Sequence, residues 1–449
     1  MANRLTGVLL VGGASRRFGS PKALARFRGE TLAERGWRTL GEACEERLAV
    51  GKAADGLSLP FPLVDDGTAS RHPAAGMIAG LEAAGNEVVV FLPVDCPGVE
   101  ARDLRVLGEA CADAAVPAEG KPLPGAYRKT AMAALRRCLS EEASIRSALD
   151  ELDIRTPALD SWRLADADTP VELELLERRI RAFTAAVEQG AELGLDTSQA
   201  RILQDWNDTI VHLAPEPVVA RVRTSRVRSA EPGYETYARE VAVARHALAR
   251  HGPVVAPAEA AGPHLRDGLA ISLWEYVEEL PEKPSERQVG VSLRAFHEAL
   301  LDFAGTLPRL DERLDRAGEA IADPAAVPRL APADREFLDS TFRALRAEAM
   351  STDAAHRVLH GGPHSANLLS TPAGPRWIDL DTVCRGPLEW DLAHVGEEAA
   401  EVFPEADADL LATMRKLVSA EVAIWCWHTY GRAPEVDEAA RHHLEALRS

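Results

Sequence analysis

Short apolar runs at residues 8–11, 48–50, 62–64 and 88–92 are bounded by glycine, proline or aspartate, the pattern of strands buried in a parallel sheet. Helical patterns lie between them. Thr31-Leu32-Ala33-Glu34 reads as a capping box that opens one helix, and residues 75–84 have the small-residue spacing of another. After Thr169-Pro170, the positions Val171, Leu173, Leu175, Leu176, Ile180, Phe183 and Val187 follow a helical period. Strands alternating with helices predict an α/β layer architecture with ligands at the carboxyl ends of the strands. From about Arg201 the pattern changes to a strand-rich stretch over 202–222, then a long helix over 234–250, and helices dominate to the end.

Length and charge narrow the choices. A chain of 449 residues exceeds one comfortable core, so two domains are expected, with residues 190–196 as the boundary and domains at 1–190 and 197–449. A net charge of -19 argues against a nucleic-acid or anionic-membrane surface. Arg221, Arg223, Arg226 and Arg228 alternate, the pattern of a solvated strand face rather than a phosphate track. The six cysteines contain no C-x-x-C pair, which excludes the usual zinc and disulfide frameworks. Arg16-Arg17 interrupt the early apolar run, and no run has the length of a membrane span, so the expected location is cytoplasmic.

The candidate chemistry begins directly after the first apolar run. Leu10-Val11-Gly12-Gly13-Ala14-Ser15-Arg16-Arg17-Phe18-Gly19-Ser20-Pro21-Lys22 puts glycines, a hydroxyl and three cations into one turn, as a phosphate cradle requires. Lys22 does not follow Gly19 directly as in a P-loop, and the glycines do not fit G-x-G-x-x-G. With Leu92-Pro93-Val94-Asp95-Cys96-Pro97 and Asp166-Ala167-Asp168-Thr169-Pro170, the stretch resembles the nucleotidyltransferase family that includes molybdenum cofactor guanylyltransferase, over roughly the first 175 residues. That resemblance implies a Rossmann-like nucleotidyltransferase domain with a mainly parallel sheet.

Nucleotidyl transfer rests on positioning and charge neutralisation, and magnesium suits it as a hard ion held by one or two carboxylates plus phosphates. Asp95 is the expected metal ligand, as the resemblance also implies, and Asp168, with Asp166 beside it, is the second. Lys22 and Arg16 complete the expected catalytic set. Leu10, Gly12, Gly13, Ala14, Ser15, Asp65 and Gly76 are the further nucleotide-binding candidates. Taken singly, an aspartate after a strand or before Thr169-Pro170 is an ordinary helix cap; the glycine loop tips the set towards function. The family's Gly-Pro-Leu-Ala-Gly block corresponds to His72-Pro73-Ala74-Ala75-Gly76, and Asp65 is either a guanine reader or a turn residue. GTP is the favoured nucleotide.

In the second half, Val358-Leu359-His360-Gly361-Gly362-Pro363-His364-Ser365-Ala366-Asn367, Trp377-Ile378-Asp379-Leu380-Asp381 and Gly386-Pro387-Leu388-Glu389-Trp390-Asp391 resemble the aminoglycoside phosphotransferase family of α+β kinase-like folds, over roughly residues 200–440. The resemblance implies Asn367 and Asp379 as metal-binding positions and His360 and Asp391 as framework. It also implies Arg221 as the cation on the nucleotide phosphates, with Glu240 able to pair with it. Gly362 stands where the family carries an aspartate that orients the substrate proton, and loss of such a group costs about a hundred- to ten-thousandfold in rate. His364 is a nearby substitute or a structural residue.

The expected activity is magnesium-dependent transfer of a nucleoside monophosphate from GTP or another NTP to a phosphorylated small-molecule acceptor, molybdopterin by resemblance, with pyrophosphate released. Two alternatives stay open. One is transfer from CTP or ATP to a sugar or alcohol phosphate with an active kinase domain; the other is a nucleotide sensor or scaffold that turns nothing over.

Overall fold

The computed structural model describes residues 4–12, 17–118, 120–206, 208–224, 233–431 and 433–448. It contains two compact units, residues 1–181 and 182–449, and the helix Pro170–Glu192 runs across the division.

The first unit is built on a seven-stranded sheet. Leu63–Asp65, Glu46–Gly51, Leu5–Leu10 and Val88–Pro93 are mutually parallel; Gly125–Arg128 runs antiparallel to Val88–Pro93, followed by Ala114–Ala115 and Ile154–Arg155. The runs at 8–11, 48–50 and 88–92 form central strands covered on both faces, while that at 62–64 forms the edge strand Leu63–Asp65. Leu9, Val90 and Leu92 enter one core with Leu32, Leu40, Leu104 and Leu107, while Val8, Leu10, Val89 and Phe91 enter the other with Met77, Leu81 and Leu135. That period-2 division is what a strand imposes, and each fully buried Leu or Phe contributes about 1.5–3 kcal/mol. Helix Leu32–Ala43 opens with the expected capping box: Glu34 N–H donates to Thr31 Oγ1 and Thr31 N–H donates to Glu34 Oε2. Gly36 lets this helix lie close to the sheet, since a Cβ there would stand 2.4 Å from Leu9 Cδ1.

The second unit opens on a five-stranded antiparallel sheet ordered Arg201–Asp205, Thr209–His212, Val218–Val222, Leu269–Glu275, His264–Arg266. The last two strands lie after residue 250, where helices were expected to dominate. Asp267 and Gly268 between them have φ of 54° and 73°, the geometry of an Asp-Gly hairpin turn, and pairing with Val218–Val222 holds the hairpin in the sheet. Helix Gly233–Leu248 follows the first three strands. The remaining chain is mainly helical, interrupted by the short pairs His356–Leu359 with Cys384–Pro387 and Leu368–Leu369 with Arg376–Trp377. Among the described residues no helix is long and apolar enough to cross a membrane.

Candidate active site

The carboxyl ends of the parallel strands in the first unit border a cavity of about 720 Å3. Leu10 and Gly12 line it from the first strand and Gly76 from the helix Pro73–Ala83. Lys22, at the start of the short turn Lys22–Leu24, reaches across to two carboxylates distant in sequence. Its Nζ stands 3.0 Å from Asp95 Oδ2 and 2.6 Å from Asp168 Oδ1. Ala167 N–H donates to the Asp95 carbonyl at 2.9 Å, which ties the segment bearing Asp168 to the end of the Val88–Pro93 strand. Asp168 and Thr169 N–H groups both donate to Glu172 Oε2, so the Asp-Thr-Pro segment caps its helix and still presents the Asp168 side chain to the cavity. The helix-cap reading therefore does not keep Asp168 out of the cavity wall.

Charge in this cavity is balanced pair by pair. Burial alone would lower the Lys22 ammonium, but the hydrogen bonds and charges of Asp168 and Asp95 outweigh it and raise it above its ordinary value. Asp168 is held below the usual carboxylate range, first by the hydrogen bond from Lys22, against some burial. Burial also keeps the Cys96 thiol protonated beside Asp95, with Sγ 3.9 Å from Oδ1.

Gly13, Ala14, Ser15 and Arg16 lie outside the described residues. Arg17, which the sequence reading did not assign, lines the cavity and pairs with Asp168 at 2.7 Å. Asp65 does not line the cavity; its two carboxylate oxygens accept from Gly67 and Ala53 N–H, which lower its pKa and fit the turn-residue reading. Asp66 is the neighbour that lines the cavity, held by Lys52 Nζ at 2.9 Å to each oxygen. Lys52 directly follows the strand Glu46–Gly51, so the strand-end rule that singled out Asp95 applies to it equally. Lys121 lines another part of the wall and pairs with Asp166 at 3.2 Å.

Two family models match this chain: a MobA-like NTP transferase domain over residues 7–159, and the phosphotransferase enzyme family over residues 216–421. A probable molybdenum cofactor guanylyltransferase of Rhodopirellula baltica is 32% identical over 189 residues, 38% of this chain and 90% of that protein. The chain belongs to the MobA-like NTP transferase family. A second probable molybdenum cofactor guanylyltransferase, from Opitutus terrae, is 34% identical over 196 residues, 40% of this chain and 97% of that protein. Among solved structures, a choline/ethanolamine kinase family protein from Mesorhizobium loti aligns with 60% of this chain and 92% of its own, at 14% identity and a TM-score of 0.44. This MobA-like transferase therefore carries a phosphotransferase-family domain in the same polypeptide.

In that second domain Arg221, far from being solvated, is inserted into a buried ionic cluster, and Arg223 accompanies it. Arg221 pairs with Asp208 at 2.9 Å, Glu240 at 2.6 Å and Asp379 at 2.5 Å. Arg223 pairs with Asp381 at 3.2 Å. Arg226 and Arg228 lie outside the described residues. Burial would lower the Arg221 guanidinium, but Asp379, Glu240 and Asp208 together raise it well above its ordinary value. Burial pushes the Glu240 carboxyl up to about 8, against the pull of Arg221.

Asp379 adopts a left-handed conformation with φ of 62°, and Ile378 N–H donates to the Asn367 carbonyl at 2.9 Å, so the two segments run side by side. Asn367 Nδ2 donates to the Gly362 carbonyl at 3.0 Å and lies 3.2 Å from His364 Nε2. His360 and Asp391 are fully buried, and the Asp391 carboxylate accepts from the backbone N–H groups of His360 and Gly361. A Cβ at Gly362 would find only Thr382 Oγ1 at 3.5 Å, so the position has room for the side chain it lacks.

Proposed function

We propose that the first unit transfers a guanylyl group from GTP to a phosphorylated pterin acceptor of the molybdopterin type, with Lys22, Asp95, Asp168 and Arg17 as its working residues. An oxygen of the acceptor phosphate forms a bond to the α-phosphorus, the bond from that phosphorus to the bridging oxygen breaks, and pyrophosphate leaves with the electron pair. Lys22 neutralises the triphosphate tail, and Arg17 stands beside it at the same carboxylate. The observation that carries this reading is Lys22 joined to both Asp95 and Asp168 on the cavity wall.

Magnesium fits the donor set. Asp95 and Asp168 offer hard oxygens with side chains 28% and 26% exposed. Magnesium leaves coordination positions to phosphates and water, so one or two protein carboxylates suffice to hold it. When bound it would supply charge neutralisation on the phosphates, and Asp95 and Asp168 would hold it.

For the base, the pair Lys52 and Asp66 replaces Asp65 as the reader. Guanine presents a carbonyl acceptor and amino donors on one edge, matching an ammonium beside a carboxylate. Pyrophosphate release with GTP, CTP and ATP, each with a phosphorylated pterin, tests the reading. GTP is expected to be preferred, and Asp66→Ala is expected to erode that preference without abolishing turnover. Equal rates with all three nucleotides would refute the base assignment, and full activity in Asp95→Asn would refute the metal role.

The phosphotransferase-family unit lacks the proton-orienting aspartate at Gly362, and we assign it nucleotide binding rather than phosphoryl transfer.

A further inference from the structure

The cluster around Arg221 contains one carboxylate whose origin differs from the others. Glu240 belongs to helix Gly233–Leu248, and Asp379 and Asp381 belong to the segment after Trp377. Asp208 comes instead from the turn between Arg201–Asp205 and Thr209–His212, a hairpin at the edge of the sheet and upstream of the 216–421 family match. Its side chain is 5% exposed. Oδ2 accepts from Arg221 Nε and from the Tyr237 hydroxyl, each at 2.9 Å, and Arg223 Nη1 stands 3.9 Å away. Oδ1 is buried with no hydrogen-bond partner among the described residues.

An anion seated between two guanidiniums and a phenol has the environment that a nucleotide phosphate would seek. We propose that Asp208 is an internal stand-in for a nucleoside triphosphate's phosphate on Arg221 and Arg223, so that the second unit binds nucleotide only when the Asp208 carboxylate withdraws. The inference rests on the assignment of nucleotide binding to this unit and is independent of the reaction assigned to the first.

Among the described residues, the carboxyl groups of Asp208, Glu240, Asp379 and Asp381 surround the guanidiniums of Arg221 and Arg223. A triphosphate arriving in addition would meet repulsion, whereas one replacing Asp208 would inherit its donors. Asp208 follows the edge strand Arg201–Asp205, where Leu203 and, just after the strand, Trp206 are exposed at 46% and 62%, and an edge segment opens at lower cost than core strands.

The test uses the full chain with magnesium and ATP, read by calorimetry and by peptide-resolved hydrogen exchange over Val218–Val222 and Gly233–Leu248. Withdrawal of the stand-in raises the competent fraction, and apparent affinity rises in proportion. Asp208→Asn is expected to protect both segments at ATP concentrations at least about tenfold lower than the unmutated chain requires. Tyr237→Phe removes only the phenol hydrogen bond and is expected to shift binding in the same direction by less, which serves as the deciding variant should Asp208→Asn fail to fold. Equal ATP dependence in the unmutated chain and the folded variants would overturn the proposal. So would the absence of protection in all of them at millimolar ATP.

Discussion

Lys22 and Arg221 are equally screened, each with a side chain 12% exposed, yet their counter-ions differ in exposure. Lys22 stands in a cavity with two partly exposed carboxylates, a shallow ionic arrangement that a substrate can rearrange. Arg221 is held by Glu240 and Asp208, whose side chains are only 1% and 5% exposed, and by Asp379. Exchanging partners is inexpensive where water already helps to solvate the charges and costly where it does not. A cation at a phosphate position therefore reports a working site only when its counter-ions can be released.

The sharpest way to break this comparison is to remove each cation. Arg221→Ala leaves buried carboxylates unpaired and is expected to destabilise the second unit by about 3–5 kcal/mol, measured by denaturant unfolding. Lys22→Ala is expected to leave unfolding nearly unchanged while lowering pyrophosphate release by about a hundred- to a thousandfold. A Lys22 variant that unfolds, or an Arg221 variant of undiminished stability, would erase the distinction.

Protonation gives a smaller effect. Glu240 is raised to about 8 in the fold from an ordinary 4.5, so across that interval the folded chain holds a proton that the unfolded chain has lost. Stability from this group is therefore greatest below the unfolded value and declines as pH rises towards 8. Glu240→Gln is expected to flatten that decline in thermal unfolding measured from pH 5 to about 8. The same slope in the variant would assign the titration to another group.

The smallest effect is expected at Gly362. A new Cβ has room beside Thr382, so Gly362→Asp should change stability by no more than about 0.5 kcal/mol. Phosphoryl transfer should stay undetectable in this single variant and emerge only when Asp208→Asn is added, as followed by radiolabelled ATP. Transfer by Gly362→Asp alone would show that the Arg221 cluster does not block the site.

Local signals in the chain carried far. Thr31 and Glu34 specify a capping box within four residues, and the strand runs specify a parallel sheet because burial on both faces leaves no polar alternation. Asp95 was legible because a strand end is where ligands of such a sheet sit. Asp65 against Asp66 was not, because adjacent residues at a strand end point to opposite sides and only pairing with Leu63–Asp65 in place decides which one faces the cavity. Arg17 became visible through Asp168, 151 positions along the chain and 2.7 Å away.

By itself, then, the sequence determined two families and a parallel sheet, since each is written in neighbouring residues or short spacings. Tertiary structure alone decided which charges meet. The alternating arginines read as a solvated face, and it took the hairpin bearing Asp208, the helix bearing Glu240 and the loop bearing Asp379 to fold them inward. The physical reason is that an ion pair depends on distance and burial, and neither follows from separation along the chain.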